Sequence, residues 1–230
     1  MANQGDKFRR VKPDMSPYLF HFTKGDNPLG TLKKILKEER LVSTLHPYIS
    51  FTASPVTLLG KFFETTVNAT GKPMYAPFGI GFNRELLIRD YAAANVIYGD
   101  AHVKEILPLE LMWRYENLSM ESYDFEWLRE WRIPGNDEGA CFDFHDFPKE
   151  EIVIVAADER SLIECVGDPD FDVEYDYEHE MRQAYPHLVC FDRWKWKGVA
   201  LDTLKKMPDD HQLSAYTQTL IIGDIIQTKG

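Results

Sequence analysis

The chain is poor in cysteine. Three occur in 230 residues, Cys141, Cys165 and Cys190, an odd number at wide spacings. No CxxC pair exists, which argues against a zinc ribbon or a thioredoxin-type site, and a disulfide framework is not expected, as befits a reducing cytosol. Long apolar runs are missing as well. The best of them, 152–157, falls far short of the ~20 residues a membrane helix needs, and residues 1–12 have no apolar signal-peptide core. A cytoplasmic location with no membrane partner is the expectation. There is no Walker A loop, no HExxH and no GxSxG elbow. Phe78-Gly-Ile-Gly-Phe82 contains GxG but no third glycine at dinucleotide-binding spacing. No cluster of ligating residues stands out, so no metal is expected. Basic residues are the minority, 26 against 37 acidic ones, for a formal charge of −11. General nucleic-acid binding by bulk charge is therefore disfavoured, because phosphate affinity comes mainly from Lys and Arg. A local basic groove stays open.

What is there has ordinary globular composition, 44% hydrophobic and 27% charged. The length suits one core with appendages. Residues 1–16 read as a flexible leader, 17–160 as the core and 161–230 as an appendage packed on the same domain. Tyr18-Leu-Phe-His-Phe22 reads as a buried strand. A helix starting at 27–29 carries the apolar stripe Leu29, Leu32, Ile35 and Leu36, at the helical period. Leu41-Val42, 48–51, 78–82, 95–98, 130–133 and 152–156 read as extended, and 56–66, 84–92 and 107–118 as helical. The 220–226 segment reads as a strand or a helix end. Many short strands among helices make the fold class α+β rather than a regular βαβ series.

Four short elements could carry chemistry: His21-Phe-Thr23, the 48–55 segment with Thr52 and Ser54, Asn95-Val-Ile-Tyr98 with Asp100, and Arg129-Glu-Trp-Arg132. Each has an ordinary reading. A lone histidine in an apolar strand is commonly a hydrogen-bonded core residue, and a glutamate between two arginines is commonly a surface ion-pair cluster. Seven of the acids alternate from 168 to 180 (Asp168, Asp170, Asp172, Glu174, Asp176, Glu178, Glu180) with no Lys or Arg between them. As a strand this stretch presents one carboxylate face. It is either a solvated edge that discourages aggregation or a docking strip for a basic partner, or a mimic of nucleic-acid charge; it does not match an EF-hand loop. The five tryptophans suit core packing, with Trp194-Lys-Trp-Lys197 the best candidate for an exposed basic-aromatic patch that stacks on bases.

Taken in order, these pieces resemble the DarT-type ADP-ribosyltransferases. That family opens with His-x-Thr, continues with an amphipathic helix and a short extended stretch, and ends its core with a strand glutamate shortly before a proline turn. The chain is also similar to the AbiGi-type abortive-infection family, in Ile49-Ser-Phe-Thr52, Pro77-Phe-Gly-Ile-Gly-Phe82 with Arg84-Glu85, Asn95-Val-Ile-Tyr98 and Arg129-Glu-Trp-Arg132, over roughly 18–157. The resemblance implies a split mixed sheet holding NAD, as substrate, in a cleft between its halves. It implies Glu130 as the catalytic glutamate, with His21 and Thr23 on the NAD ribose or amide and Thr52, Ser54, Tyr98 and Arg132 as further NAD contacts. The implied activity is that of a toxin of a phage-defence or toxin–antitoxin system, moving ADP-ribose to RNA, DNA or protein and held by an antitoxin or other protein partner. A NAD glycohydrolase and an inactive binding module are the alternatives. One departure is plain: the loop Phe51-Thr-Ala-Ser-Pro55 lacks the arginine that DarT-type enzymes carry there. Arg84, Arg129 or Arg132 is then the expected contact to the pyrophosphate.

Overall fold

In a computed structural model, the structure describes residues 16–56, 59, 63, 75–118, 126–135, 139–166, 196–204 and 218–220. In chain order the elements are β1 (Tyr18–Phe22), α1 (Pro28–Glu38), β2 (Arg40–Ser43), β3 (Tyr48–Thr52), β4 (Gly79–Asn83), α2 (Arg84–Tyr91), β5 (Ala94–Asn95), β6 (Ile97–Gly99), α3 (Ala101–Ile106), a 3-10 turn (Leu109–Arg114), β7 (Tyr115–Asn117), a second 3-10 turn (Glu126–Leu128), β8 (Glu130–Pro134), β9 (Ala140–Asp143), a third 3-10 turn (Lys149–Glu151), β10 (Ile152–Ala156), α4 (Glu159–Val166), β11 (Trp196–Ala200), α5 (Leu201–Leu204) and β12 (Gln218–Leu220). The helix starts follow their caps. Asn27 accepts from the Gly30 amide ahead of Pro28, Asn83 accepts from the amides of Glu85 and Leu86, and Asp100 accepts from those of His102 and Val103; each side chain satisfies amides that the first turn leaves unpaired.

The protein is mixed α+β, with a mostly antiparallel sheet of eight strands in the order β12-β11-β10-β4-β1-β3-β8-β5. Only β10 and β11 run parallel within it. The ladder is uneven. β1 pairs with β4 over five residues and β3 with β8 over five, but β1 and β3 share the single pair Phe20↔Thr52. The sheet is thus two well-laddered halves, β5-β8-β3 and β1-β4-β10-β11-β12, joined along a thin seam.

Side chains alternate between the faces. Leu19, Phe51, Ile80, Phe82, Ile152 and Ile154 face one core, closed by Leu32 of α1 and by Phe142, Phe144 and Phe147. Phe20, Phe22, Val153, Val155 and Val199 face a second, with Val56, Leu59 and Phe63. β10 lies in both, which is why it reads as an unbroken apolar run. The GxG of β4 has a packing reason. Gly79 and Gly81 are the register partners of Phe22 and Phe20, and a Cβ on either glycine would strike those rings.

Several expectations need correction. Residues 107–118 are not one α-helix: Pro108 breaks the run, leaving a 3-10 turn and β7. The strand expected over 95–98 is two pieces, β5 and β6, separated at Val96, whose amide instead donates to the Glu130 carbonyl at 2.8 Å. The α3, β9, α4 and β11 elements were not anticipated. The leader up to residue 15, the acidic stretch 168–180, the first half of the Trp194-Lys-Trp-Lys197 patch and most of the 56–66 and 220–226 segments lie outside the described residues; Trp196 and Lys197 open β11, with Lys197 Nζ donating to Glu150 O at 2.6 Å, and Val56, Leu59 and Phe63 have helical backbone and are buried. No described helix is long and apolar enough to cross a membrane.

Candidate active site around Glu130

The three motif strands are neighbours: β1 with His21, β3 with Ser50 and Thr52, and β8 with Glu130 and Arg132. The β3–β8 register pairs Thr52 with Glu130 and Ser50 with Arg132. Direct partners share a face, so these four side chains project from one side of the sheet. Glu130 enters its strand through a tight turn. Arg129 has the left-handed φ of 46°, with its amide donating to Glu126 O at 3.0 Å and its carbonyl accepting from Ala53 N at 3.1 Å. A non-glycine residue held there is strained, and such strain gathers where a side chain must be aimed.

The Glu130 carboxylate is 12% exposed and asymmetrically held. Its Oε1 accepts from Ser50 Oγ at 2.7 Å and from Arg132 Nε at 2.8 Å. Its Oε2 has no hydrogen-bond partner among the described residues. Arg132, only 2% exposed, is used almost completely. Nη1 donates to the carbonyls of Trp113 and Tyr115 at 3.0 and 2.9 Å, Nη2 donates to Glu116, and the guanidinium lies 3.9 Å over the Tyr48 ring. A buried arginine with this many partners is a fixed part of the scaffold. It stands beside Glu130 as a positioning residue; the expectation of a direct pyrophosphate contact meets a buried guanidinium whose hydrogen bonds to Glu130, Trp113, Tyr115 and Glu116 leave one N–H of Nη2.

His21 bridges the seam between the halves. Its Nδ1 lies 2.9 Å from Ser50 O, and since a carbonyl only accepts, Nδ1 carries the hydrogen. Burial holds the ring below the ordinary histidine value of 6.5, against the opposing effect of that hydrogen bond and helped by Lys24. The imidazole is therefore neutral at pH 7, with a lone pair on Nε2 that has no partner among the described residues. One serine thus touches both expected residues, through its carbonyl to His21 and its hydroxyl to Glu130, but from opposite faces: Phe20 is the register partner of Thr52, so by alternation His21 lies on the face of Phe51, away from Glu130.

The other expected residues take supporting places. Thr23 is buried and its hydroxyl donates to Phe78 O at 3.0 Å, tying the end of β1 to the start of β4. Thr52 donates to Leu128 O and accepts from Ser54 N, which fixes the turn after β3; both are buried. The Tyr98 hydroxyl accepts from the Glu130 amide at 3.4 Å. Burial, with the Glu130 carboxylate adding to it, pushes the phenol up to about 12, so Tyr98 keeps its proton at neutral pH. Tyr75 is raised in the same way, by burial first and then by Glu130 and Glu116.

A cavity of about 450 Å³ opens at this end of β8. Among the expected residues, Glu130 and Tyr98 line it, and His21, Thr23, Thr52, Ser54 and Arg132 do not. Arg84 and Arg129 line it too, with Asn95, Glu126 and Trp131. Trp131 faces away from Glu130 by strand alternation, so the cavity wraps around the end of the strand. Glu116 was not singled out from sequence, and Ser50 and Tyr48 only as members of the 48–55 segment. Ser50 was within reach, two residues before Thr52 and so on the same face; Glu116 was not, because the excursion that brings it to Arg132 was read as a helix. Comparison with family models, with curated proteins and with solved structures finds no match.

Proposed function

We propose that the protein is a NAD-dependent ADP-ribosyltransferase with Glu130 as its catalytic residue. The observation that carries this reading is the half-held carboxylate: one oxygen clamped by Ser50 and Arg132, the other without a partner among the described residues, at the mouth of the cavity. The thin seam between the halves supports the split sheet that the resemblance implies.

Breaking the bond between ribose C1′ and the nicotinamide nitrogen sends the electron pair to neutral nicotinamide and leaves oxocarbenium-like charge on the ribose. A fixed carboxylate beside that ribose stabilises the charge without having to reorganise. The free Oε2 is placed to accept the proton that the acceptor loses as its oxygen or nitrogen attacks C1′. Arg84 and Arg129, which share the cavity with Glu130, are better situated for the pyrophosphate than Arg132.

By the resemblance, the setting is a toxin of a phage-defence or toxin–antitoxin system, acting on RNA, DNA or protein, with the acidic stretch at 168–180 offered to a basic antitoxin or other protein partner. Incubation with NAD labelled in its adenylate part, alongside separate RNA, DNA and protein pools, tests the activity. Label in one pool supports the transferase and names the acceptor class. NAD loss with only free ADP-ribose means a glycohydrolase, and no NAD binding means a binding module.

A further inference from the structure

We infer that Glu116 is a positioning residue which keeps Arg132 from closing its full fork on Glu130, and so keeps one Glu130 oxygen available for the reaction. This rests on the reading of Glu130 as the group that faces the ribose. The side-on fork of a guanidinium, Nε with the adjacent Nη2, matches a carboxylate and ordinarily grips both of its oxygens. In this protein the fork is divided. Nε donates to Glu130 Oε1 at 2.8 Å, and Nη2 donates to Glu116 Oε2.

The rest of the guanidinium cannot turn away. Nη1 is fixed by the carbonyls of Trp113 and Tyr115, and the plane rests on Tyr48. Trp113, Tyr115 and Glu116 all belong to the excursion between β5 and β8. The parallel pairing of β6 with β7 sets Tyr98 directly opposite Glu116, and the Tyr98 hydroxyl in turn meets the Glu130 amide. The excursion therefore carries its own register onto the catalytic strand. Glu116 is one-third exposed and Glu130 much less so, which makes Glu116 the easier carboxylate to alter without opening the core.

Removal of Glu116 leaves Nη2 without its acceptor next to a carboxylate that has an unpartnered oxygen. The fork then closes on Glu130. Both Glu130 oxygens become engaged, the charge offered to the ribose is screened, and the site for the departing proton is filled. Substrate contacts made by the cavity arginines are unchanged. The loss should thus fall on kcat and spare KM.

The test compares the full chain with Glu116→Ala and Glu116→Gln for NAD consumption across pH, with melting temperature as the check on folding. For Glu116→Ala, kcat should drop roughly tenfold or more with KM little changed, as for loss of an electrostatic contribution. The low-pH limb of its kcat profile should move to lower pH, because a carboxylate gripped by a whole fork is harder to protonate. Glu116→Gln keeps an oxygen for Nη2 and should recover most of the rate. If the alanine variant does not fold, Glu116→Asp, one methylene too short to reach, carries the same expectation. A folded alanine or aspartate variant with wild-type kcat and an unmoved low-pH limb overturns the inference; so does a glutamine variant as impaired as alanine. Should the wild-type chain leave NAD intact, the proposed function fails, and the crystal structure of Glu116→Ala decides the geometry alone. Nε and Nη2 both on Glu130 uphold it, and Nη2 turned elsewhere with Glu130 Oε2 still unpartnered overturns it.

Discussion

The two halves of the sheet are built on different principles. The half containing β4 and β10 is apolar on both faces: Ile80, Phe82 and the whole of β10 are fully buried, and Phe82 meets Phe51, Phe142, Phe144 and Phe147 at centroid separations of 6.1, 5.0, 5.1 and 5.3 Å. Its cohesion is the hydrophobic effect, about 1.5–3 kcal/mol for each large side chain fully buried. The half containing β3 and β8 presents apolar residues on one face only. On the other it holds Glu130, Arg132, Ser50 and Thr52, linked by directed hydrogen bonds. The first half can hold its shape without any polar group, and that frees the second to carry one that is incompletely satisfied. The Glu130 carboxylate stands one strand away from the seam, beside the cavity at the end of β8.

Changes in the two halves should therefore separate stability from activity. The largest effect expected is on the apolar half. Phe82→Ala should cost about 3–5 kcal/mol in denaturant unfolding, since it empties the middle of the aromatic cluster. A loss under 1 kcal/mol would mean the halves do not differ in this way. Ser50→Ala comes next, and it acts on the polar half. It removes a hydroxyl donor from the proposed catalytic carboxylate, and a hydrogen bond to a charged group is worth roughly 1.5–3 kcal/mol, so NAD turnover should fall on the order of tenfold or more while unfolding changes less than for Phe82→Ala. The reverse ranking, seen in parallel rate and denaturation measurements, would place Ser50 in the scaffold alone. His21→Ala, on the face away from Glu130, should leave NAD affinity close to wild type; calorimetric titration reads it, and a loss of roughly 1–3 kcal/mol, the cost of removing a group that meets a ligand, would bring His21 into the site. The smallest effect is a pH slope. His21 is held below 6.5 in the fold, so below that pH the unfolded chain binds the extra proton first, and stability falls as pH falls towards the folded value. His21→Asn should flatten that part of the stability curve, and an unchanged slope would point to another group.

The sequence was informative where one residue type has one strong reason to be where it is. The unbroken Ile-Val-Ile-Val-Ala of β10 read as a buried strand, and the stripe Leu29, Leu32, Ile35 and Leu36 marked the helix that starts at 27–29. The chain order of His21, Thr52 and Glu130 was visible too, and β1, β3 and β8 are adjacent, but only the register shows that Thr52 and Glu130 share a face and that His21 takes the other. Pairing itself is long-range, so the single-pair seam between β1 and β3 could not be seen. The roles of Arg132 and Glu116 were hidden for a related reason. Whether an arginine meets a ligand or a second carboxylate depends on an excursion that Pro108 breaks into short pieces. Thr23, Thr52 and Ser54 were visible as polar residues in the right places, and only the fold reveals that their hydroxyls or amides secure neighbouring backbone.

The most direct test of Glu130 is nicotinamide release from NAD by the wild-type chain and by Glu130→Gln at matched folding. Glutamine keeps an oxygen for Ser50 and Arg132 and loses the charge, so the melting temperature should stay close to wild type while the rate drops about 100-fold or more, as expected for loss of an electrostatic stabiliser. A folded Glu130→Gln protein that releases nicotinamide as fast as the wild type, or a wild-type chain that releases none, contradicts the account.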